Sequence, residues 1–203
     1  MARTLTKHGS TAITRVQQTA GTLATGVGAL WLVEVLNLVL GGALVGFGIH
    51  PWTLQGLVGI LFAPFLHASL AHLAMNSVWL VVLGGILLMR NPRDFWSVSV
   101  VGAIGSGLGA WALGGVGTVH IGLSGVLFAY LGFLMTRGLF ERSLVAIALS
   151  VGVTWLFGSM VWGVLPLAIG VSWQAHLFGF LSGVLAAAQV KVQAAPRARR
   201  KRS

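Results

Sequence analysis

From Phe95 to Thr136 no side chain carries a charge, and from Ser143 to Val190 none does again. A helix needs about 20 consecutive apolar residues to cross the hydrocarbon core of a bilayer. Each run is therefore long enough for two crossings joined by an uncharged turn. Between Arg15 and Arg90 the one charged residue is Glu34, which leaves room for two further crossings. Charged residues make up 8% of the 203 and hydrophobic ones 56%, whereas soluble domains carry about 25% charged residues. Thirteen Lys+Arg and three Asp+Glu cannot solvate a globular surface. Such hydrophobicity also excludes intrinsic disorder. With no cysteine, disulfides, thiol nucleophiles and thiolate-held zinc are excluded.

The fold class expected is an all-α, polytopic membrane protein with six transmembrane helices, at roughly 22–47, 70–89, 95–113, 124–137, 143–161 and 173–190. The membrane domain covers 21–190, between a basic segment at 1–20 and a basic tail at 191–203. All the Lys and Arg residues fall before span 1, between spans 2 and 3, between spans 4 and 5, or after span 6. That is one side of the membrane, and the positive-inside rule makes it cytoplasmic, with both termini inside. The tail Arg-Ala-Arg-Arg-Lys-Arg reads as a topology anchor beside anionic lipid rather than a nucleic-acid contact. The apolar run near the N-terminus is too long for a cleaved leader and reads as the first span. Trp111, Trp162 and Trp173 fall near outer span ends and Trp96 near an inner one, as interfacial anchors do. The outer stretch from His50 to Leu66 is uncharged but broken by Pro51 and Pro64. Short helices lying in the outer interface are expected there.

Polar groups inside spans are costly, and by default they mark function. His72 and Asn76 fall in the first turns of span 2, with His67 just before it. Ser124 opens span 4 and His176 lies in the first turn of span 6. Spans 2, 4 and 6 run in the same direction, so these groups share one depth, near the outer face. Ser124 is a candidate nucleophile and His176 a candidate base. Asp94 and Glu141 belong to the opposite face and Glu34 to mid-span, so a Ser–His dyad without a carboxylate is expected. Backbone N–H groups at the start of span 4 favour a developing oxyanion. His72 and Asn76, at i and i+4, share a helix face and both can donate to it. Gly122, Gly125, Ala129 and Gly132 on span 4, and Ala175, Gly179, Gly183 and Ala187 on span 6, form small-residue faces that let two helices approach closely. His67, His72, His120 and His176 are not accompanied by a carboxylate, and no His-Glu-x-x-His run exists. No metal and no cofactor are expected.

Taken together, His67-Ala-Ser-Leu-Ala-His72-Leu-Ala-Met-Asn76, Gly122-Leu-Ser124-Gly125 and Ala175-His176-Leu-Phe-Gly179 resemble the motifs of the rhomboid intramembrane serine proteases, over roughly residues 20–190. The resemblance implies a six-helix rhomboid-like bundle with Ser124 as nucleophile and His176 as general base. Asn76, His72 and the Ser124 N–H are implied as oxyanion stabilisers, and Gly122 and Gly179 as close-packing positions. It departs from the family at Val58-Gly59, where many rhomboids carry Trp-Arg. At Phe128 bacterial relatives often have a Tyr that stacks on the catalytic His. The implied partners are a single-span membrane protein as substrate and the lipid bilayer, with no nucleic acid, and the implied location is a bacterial plasma membrane. A non-cleaving rhomboid-like binder or chaperone is the alternative. A small transporter is disfavoured, because no broken mid-membrane helices are evident.

Overall fold

A computed structural model describes residues 2–189, with side chains from residue 12 onward. Val190 and the expected tail at 191–203 lie outside the described residues. Among the described residues there is no strand, and the one extended pairing is an antiparallel bridge between Ile49 and His120.

Local sequence sets the helix ends, and several differ from expectation. Helix α1 (Ala2–Val39) begins well before residue 22 because no proline interrupts it. It stops short of residue 47: Gly41 and Gly42 take φ of 64° and 86°, which ends a helix and which glycine adopts without Cβ penalty. Helix α2 (Leu54–Phe62) is capped by Thr53, whose Oγ1 accepts from the Gly56 N–H at 2.9 Å. A 3₁₀ turn (Ala63–Phe65) follows it, so the outer stretch holds the short helices expected. Helix α3 (Leu70–Trp79), capped by Ser69, continues through a π-helical turn (Leu80–Gly84) into α4 (Gly85–Arg90) as one span. Helix α5 (Pro92–Leu113) starts before residue 95, because Asn91 caps it and Pro92 suits a first turn. Helix α6 (Ser124–Glu141) runs past 137, since Arg137 and Glu141 pair one turn apart at 3.0 Å. Helix α7 (Leu144–Phe157) ends before 161, where Gly158–Val164 tightens into 3₁₀ turns. Helix α8 covers Trp173–Gln189.

Among the described residues, four helical stretches are long and apolar enough to cross a membrane: Ala12–Val39, Leu70–Arg90, Pro92–Leu113 and Leu144–Val164. Helices α6 and α8, of 18 and 17 residues, rise only about 27 and 26 Å. They form the buried centre of the bundle. From Val126 to Leu134 α6 is almost wholly buried, packed against Leu73, Leu83 and Leu87 of the α3–α4 span and Val98 of α5. The outer helices turn large apolar side chains outward, as Leu144 and Trp155 of α7 do at 85% and 83% exposure. Bilayer hydrocarbon covers such a surface where water would not.

Helices α6 and α8 meet backbone to backbone. A Cβ added at Gly179, Gly183 or Gly132 would come within 2.9, 2.8 or 3.1 Å of the carbonyl carbons of Gly125, Ala129 and Phe180. The expected small-residue faces are therefore in contact at Gly125, Ala129, Gly132, Gly179 and Gly183, whereas Gly122 precedes α6 and faces His72. At the end of the bundle that carries the basic residues, Arg90 pairs with Glu141 and Asp94, and Arg137 with Glu141 and the Ala187 carbonyl. This cluster ties α4, α5, α6 and α8 together. It accounts for the acids that lie away from the polar groups at the opposite end.

Candidate active site

The contact of α6 with α8 decides where Ser124 and His176 fall. Gly125 and Gly179 are neighbours across it, with Ser124 one residue from the first and His176 one turn from the second. The result is a hydrogen bond of 2.8 Å between Ser124 Oγ and His176 Nε2. The other ring nitrogen, Nδ1, donates to the Gly163 carbonyl at 2.9 Å. A carbonyl can only accept, so this contact puts the proton on Nδ1 and leaves the Nε2 lone pair facing the serine hydroxyl. A carboxylate orients the base in the familiar triads; here a backbone carbonyl of the 3₁₀ turn after α7 stands in that place. Phe128, one turn along from Ser124, stacks on the imidazole with centroids 4.1 Å apart and planes within 10°. The ring is 8% exposed, held between an aromatic face and the Gly163 turn.

His72 and Asn76 converge on the same point from α3. A Cβ at Gly122 would lie 2.7 Å from His72 Cε1, 3.0 Å from its Nε2 and 3.6 Å from Asn76 Nδ2. Gly122 has φ of 118°, so glycine is required there for both backbone and space. The Asn76 amide nitrogen is buried with no hydrogen-bond partner, a donor facing the start of α6. The N–H groups of Ser124 and Gly125, which open α6, have no intrahelical acceptor either, whereas the Val126 N–H donates to the Leu123 carbonyl at 2.9 Å. His67, 1% exposed, packs edge-on behind His72 with centroids 5.2 Å apart. Burial first, then neighbouring His72, pushes His67 down to about 4. Every residue expected at the site is thus brought together, His67 and Gly179 in its supporting layer.

The stretch before α3 is held without an arginine. Gly122 N–H donates to the Ala63 carbonyl at 2.8 Å, Ile49 and His120 exchange both backbone bonds, and Trp111 Nε1 donates to the Thr53 carbonyl at 2.8 Å. Gly59, in the Val58-Gly59 pair, faces the Gly48 backbone so closely that a side chain would not fit. His120 Nδ1 in turn shares a 2.7 Å hydrogen bond with Ser172 Oγ, linking two loops on the site's side of the molecule. Burial lowers the His120 pKa. Beside Ser124, and reaching Ser106, His120 and Ser172, is a cavity of about 20 Å³, room for about one water. Glu34, expected mid-span and apart, is 3% exposed in α1.

These features define a helical membrane-protein site in which a serine meets a histidine between two close-packed helices. The chain belongs to the rhomboid family: the Rhomboid domain model matches residues 52–192. It is similar to the uncharacterized Mycobacterium tuberculosis protein Rv1337, at 39% identity across 82% of this chain and 72% of the relative. It is likewise similar to the uncharacterized Mycobacterium leprae protein ML1171, at 38% identity across 82% and 69%. Membership and the apolar helices make it an integral membrane protein.

Proposed function

We propose that this chain is a six-span intramembrane serine endopeptidase that cuts the membrane segment of a single-span protein, with α6 and α8 as its fourth and sixth spans. The observation that carries the reading is the 2.8 Å contact of Ser124 Oγ with His176 Nε2, the far nitrogen being held by Gly163. His176 accepts the Ser124 proton as Oγ attacks the scissile carbonyl, and the negative charge develops on the carbonyl oxygen. Asn76 Nδ2, His72 and the Ser124 N–H donate to that oxygen. His176 then returns the proton to the leaving amine, giving an acyl-enzyme. A water in the cavity beside Ser124, deprotonated by His176, attacks the ester carbon; the bond to Oγ breaks, His176 returns the proton to Ser124 Oγ, and the second product leaves as the acid. No cofactor takes part. The substrate helix must unwind, since helical peptide bonds are shielded and internally bonded; small or helix-breaking residues near the cut suit this. The placement of the basic residues supports cytoplasmic termini in a bacterial plasma membrane, with the site toward the outer face.

A fluorophosphonate probe separates this reading from a binder that does not cut. The protease forms a covalent adduct on Ser124, which Ser124→Ala abolishes and His176→Ala strongly slows. Absence of labelling in folded wild-type protein would favour the binder.

A further inference from the structure

Beside α1 the bundle is open. Helix α1 packs along the α3–α4 span, Gly26 against Leu80 and Trp31 Nε1 donating to Ser77 Oγ at 3.1 Å. Between α1 and α5 there is a lateral groove of about 850 Å³. It is walled by α1 from Gln18 to Leu30 and by α5 from Phe95 to Ile104, roofed by the Ile60–Phe65 stretch and backed by α6. The twelve helical steps from Gln18 to Leu30 rise about 18 Å, close to the hydrocarbon depth of one leaflet, about 15 Å. Small residues in a span ordinarily serve close helix approach, yet a Cβ at Gly21 would meet nothing within 4 Å.

At their basic-side ends the two walls of the groove are each preceded by an arginine. Arg15 lies one turn before Gln18, and Arg93 one turn before Trp96, both on the basic side. The acids on that side, Asp94 and Glu141, are engaged by Arg90 and Arg137, and neither Arg15 nor Arg93 has an ion-pair partner among the described residues.

We propose that this groove binds one anionic phospholipid of the leaflet at the basic face, an acyl chain filling the groove and the phosphate resting against Arg15 and Arg93. The chain end reaches Pro64, next to Ala63, whose carbonyl holds the Gly122 N–H at 2.8 Å. Lipid occupancy therefore supports the stretch that carries the oxyanion side of the site. The binding itself does not depend on whether the protein cleaves anything.

The test is native mass spectrometry of the full chain released from nanodiscs of equal phosphatidylglycerol and phosphatidylcholine. One phosphatidylglycerol per chain is expected to be retained, with roughly thirtyfold preference from two surface arginines. Arg15→Gln with Arg93→Gln should abolish the preference. Gly21→Leu with Thr25→Leu, which fills the groove from α1, should remove the retained lipid. Val100→Phe does the same from α5 if that variant fails to fold. Retention of no lipid, retention blind to headgroup, or undiminished retention in a folded groove-filling variant would overturn the proposal. So would capture of a protein segment rather than lipid by a photocrosslinker at Val100.

Discussion

Replacing Gly179 by Ala should separate the two helices that bring Ser124 to His176. The added Cβ would collide with the Gly125 carbonyl oxygen and lie 2.9 Å from its carbon, where non-bonded carbons settle at about 3.5–4.0 Å. Both neighbours are backbone, so no side chain can swing aside. The helices must part by roughly 1 Å. Ser124 adjoins Gly125 and His176 is one turn from Gly179, so the 2.8 Å Ser124–His176 contact would open toward about 3.8 Å, beyond hydrogen-bond reach. Misplacement on this scale costs about 100-fold in turnover, and overpacking of this kind costs about 1–3 kcal/mol in stability. The assay is turnover per folded molecule in proteoliposomes, with the melting temperature measured in parallel. Gly28→Ala is the control, since its Cβ meets nothing within 4 Å, and its turnover should match wild type. If folded Gly179→Ala protein turned over at the wild-type rate, the α6–α8 contact would not be what sets the dyad.

Asn76→Ala should lower turnover by roughly 100- to 1000-fold while apparent substrate affinity and melting temperature hold; a collapse of melting temperature with the rate per folded molecule preserved would make Asn76 a packing residue. Acidification should destabilise the fold through His67. Its folded pKa of about 4 lies below the ordinary 6.5, so the unfolded chain takes up the proton first. The neutral ring's contribution is complete above about pH 6.5 and is lost as pH falls toward 4, at most about 3 kcal/mol. Denaturation at pH 7.5 and 4.5 should show a smaller loss for His67→Gln than for wild type; equal losses would remove His67 as the cause. Single cysteines introduced at residue 54 and residue 142 should react with an impermeant thiol reagent only from outside and only from inside, respectively; the reverse pattern would invert the proposed topology.

Much of this was legible because membrane folding leaves coarse marks. Charge gaps mark out apolar stretches long enough to span, and small side chains spaced three or four apart mark the α6–α8 faces. Residue order and depth singled out Ser124, His176, His72 and Asn76. Helix ends were less legible. Residues 40–47 are apolar enough to continue a span, and only the positive φ of Gly41 and Gly42 stops α1 at Val39. The third partner of the dyad was not legible at all. Any residue supplies a carbonyl, and Gly163 reaches His176 from a turn thirteen residues away whose path tertiary packing sets. The anchoring of the stretch before α3 was hidden for a similar reason: backbone groups of Ala63, Ile49 and Thr53 hold a stretch that has Val58-Gly59 where many rhomboids carry Trp-Arg. Glu34 was read by depth alone, which does not show the direction α1 turns it.

Cleavage in a defined membrane bears most directly on the proposed activity. The purified chain and a single-span substrate are co-reconstituted in proteoliposomes, and the products are mapped by mass spectrometry. Wild-type protein should yield two fragments with one cut inside the membrane segment. Ser124→Ala and His176→Ala should each yield none at matched folded levels, and the double variant should be no worse than either single one. Fragments produced by Ser124→Ala at the wild-type rate would contradict serine catalysis at this site.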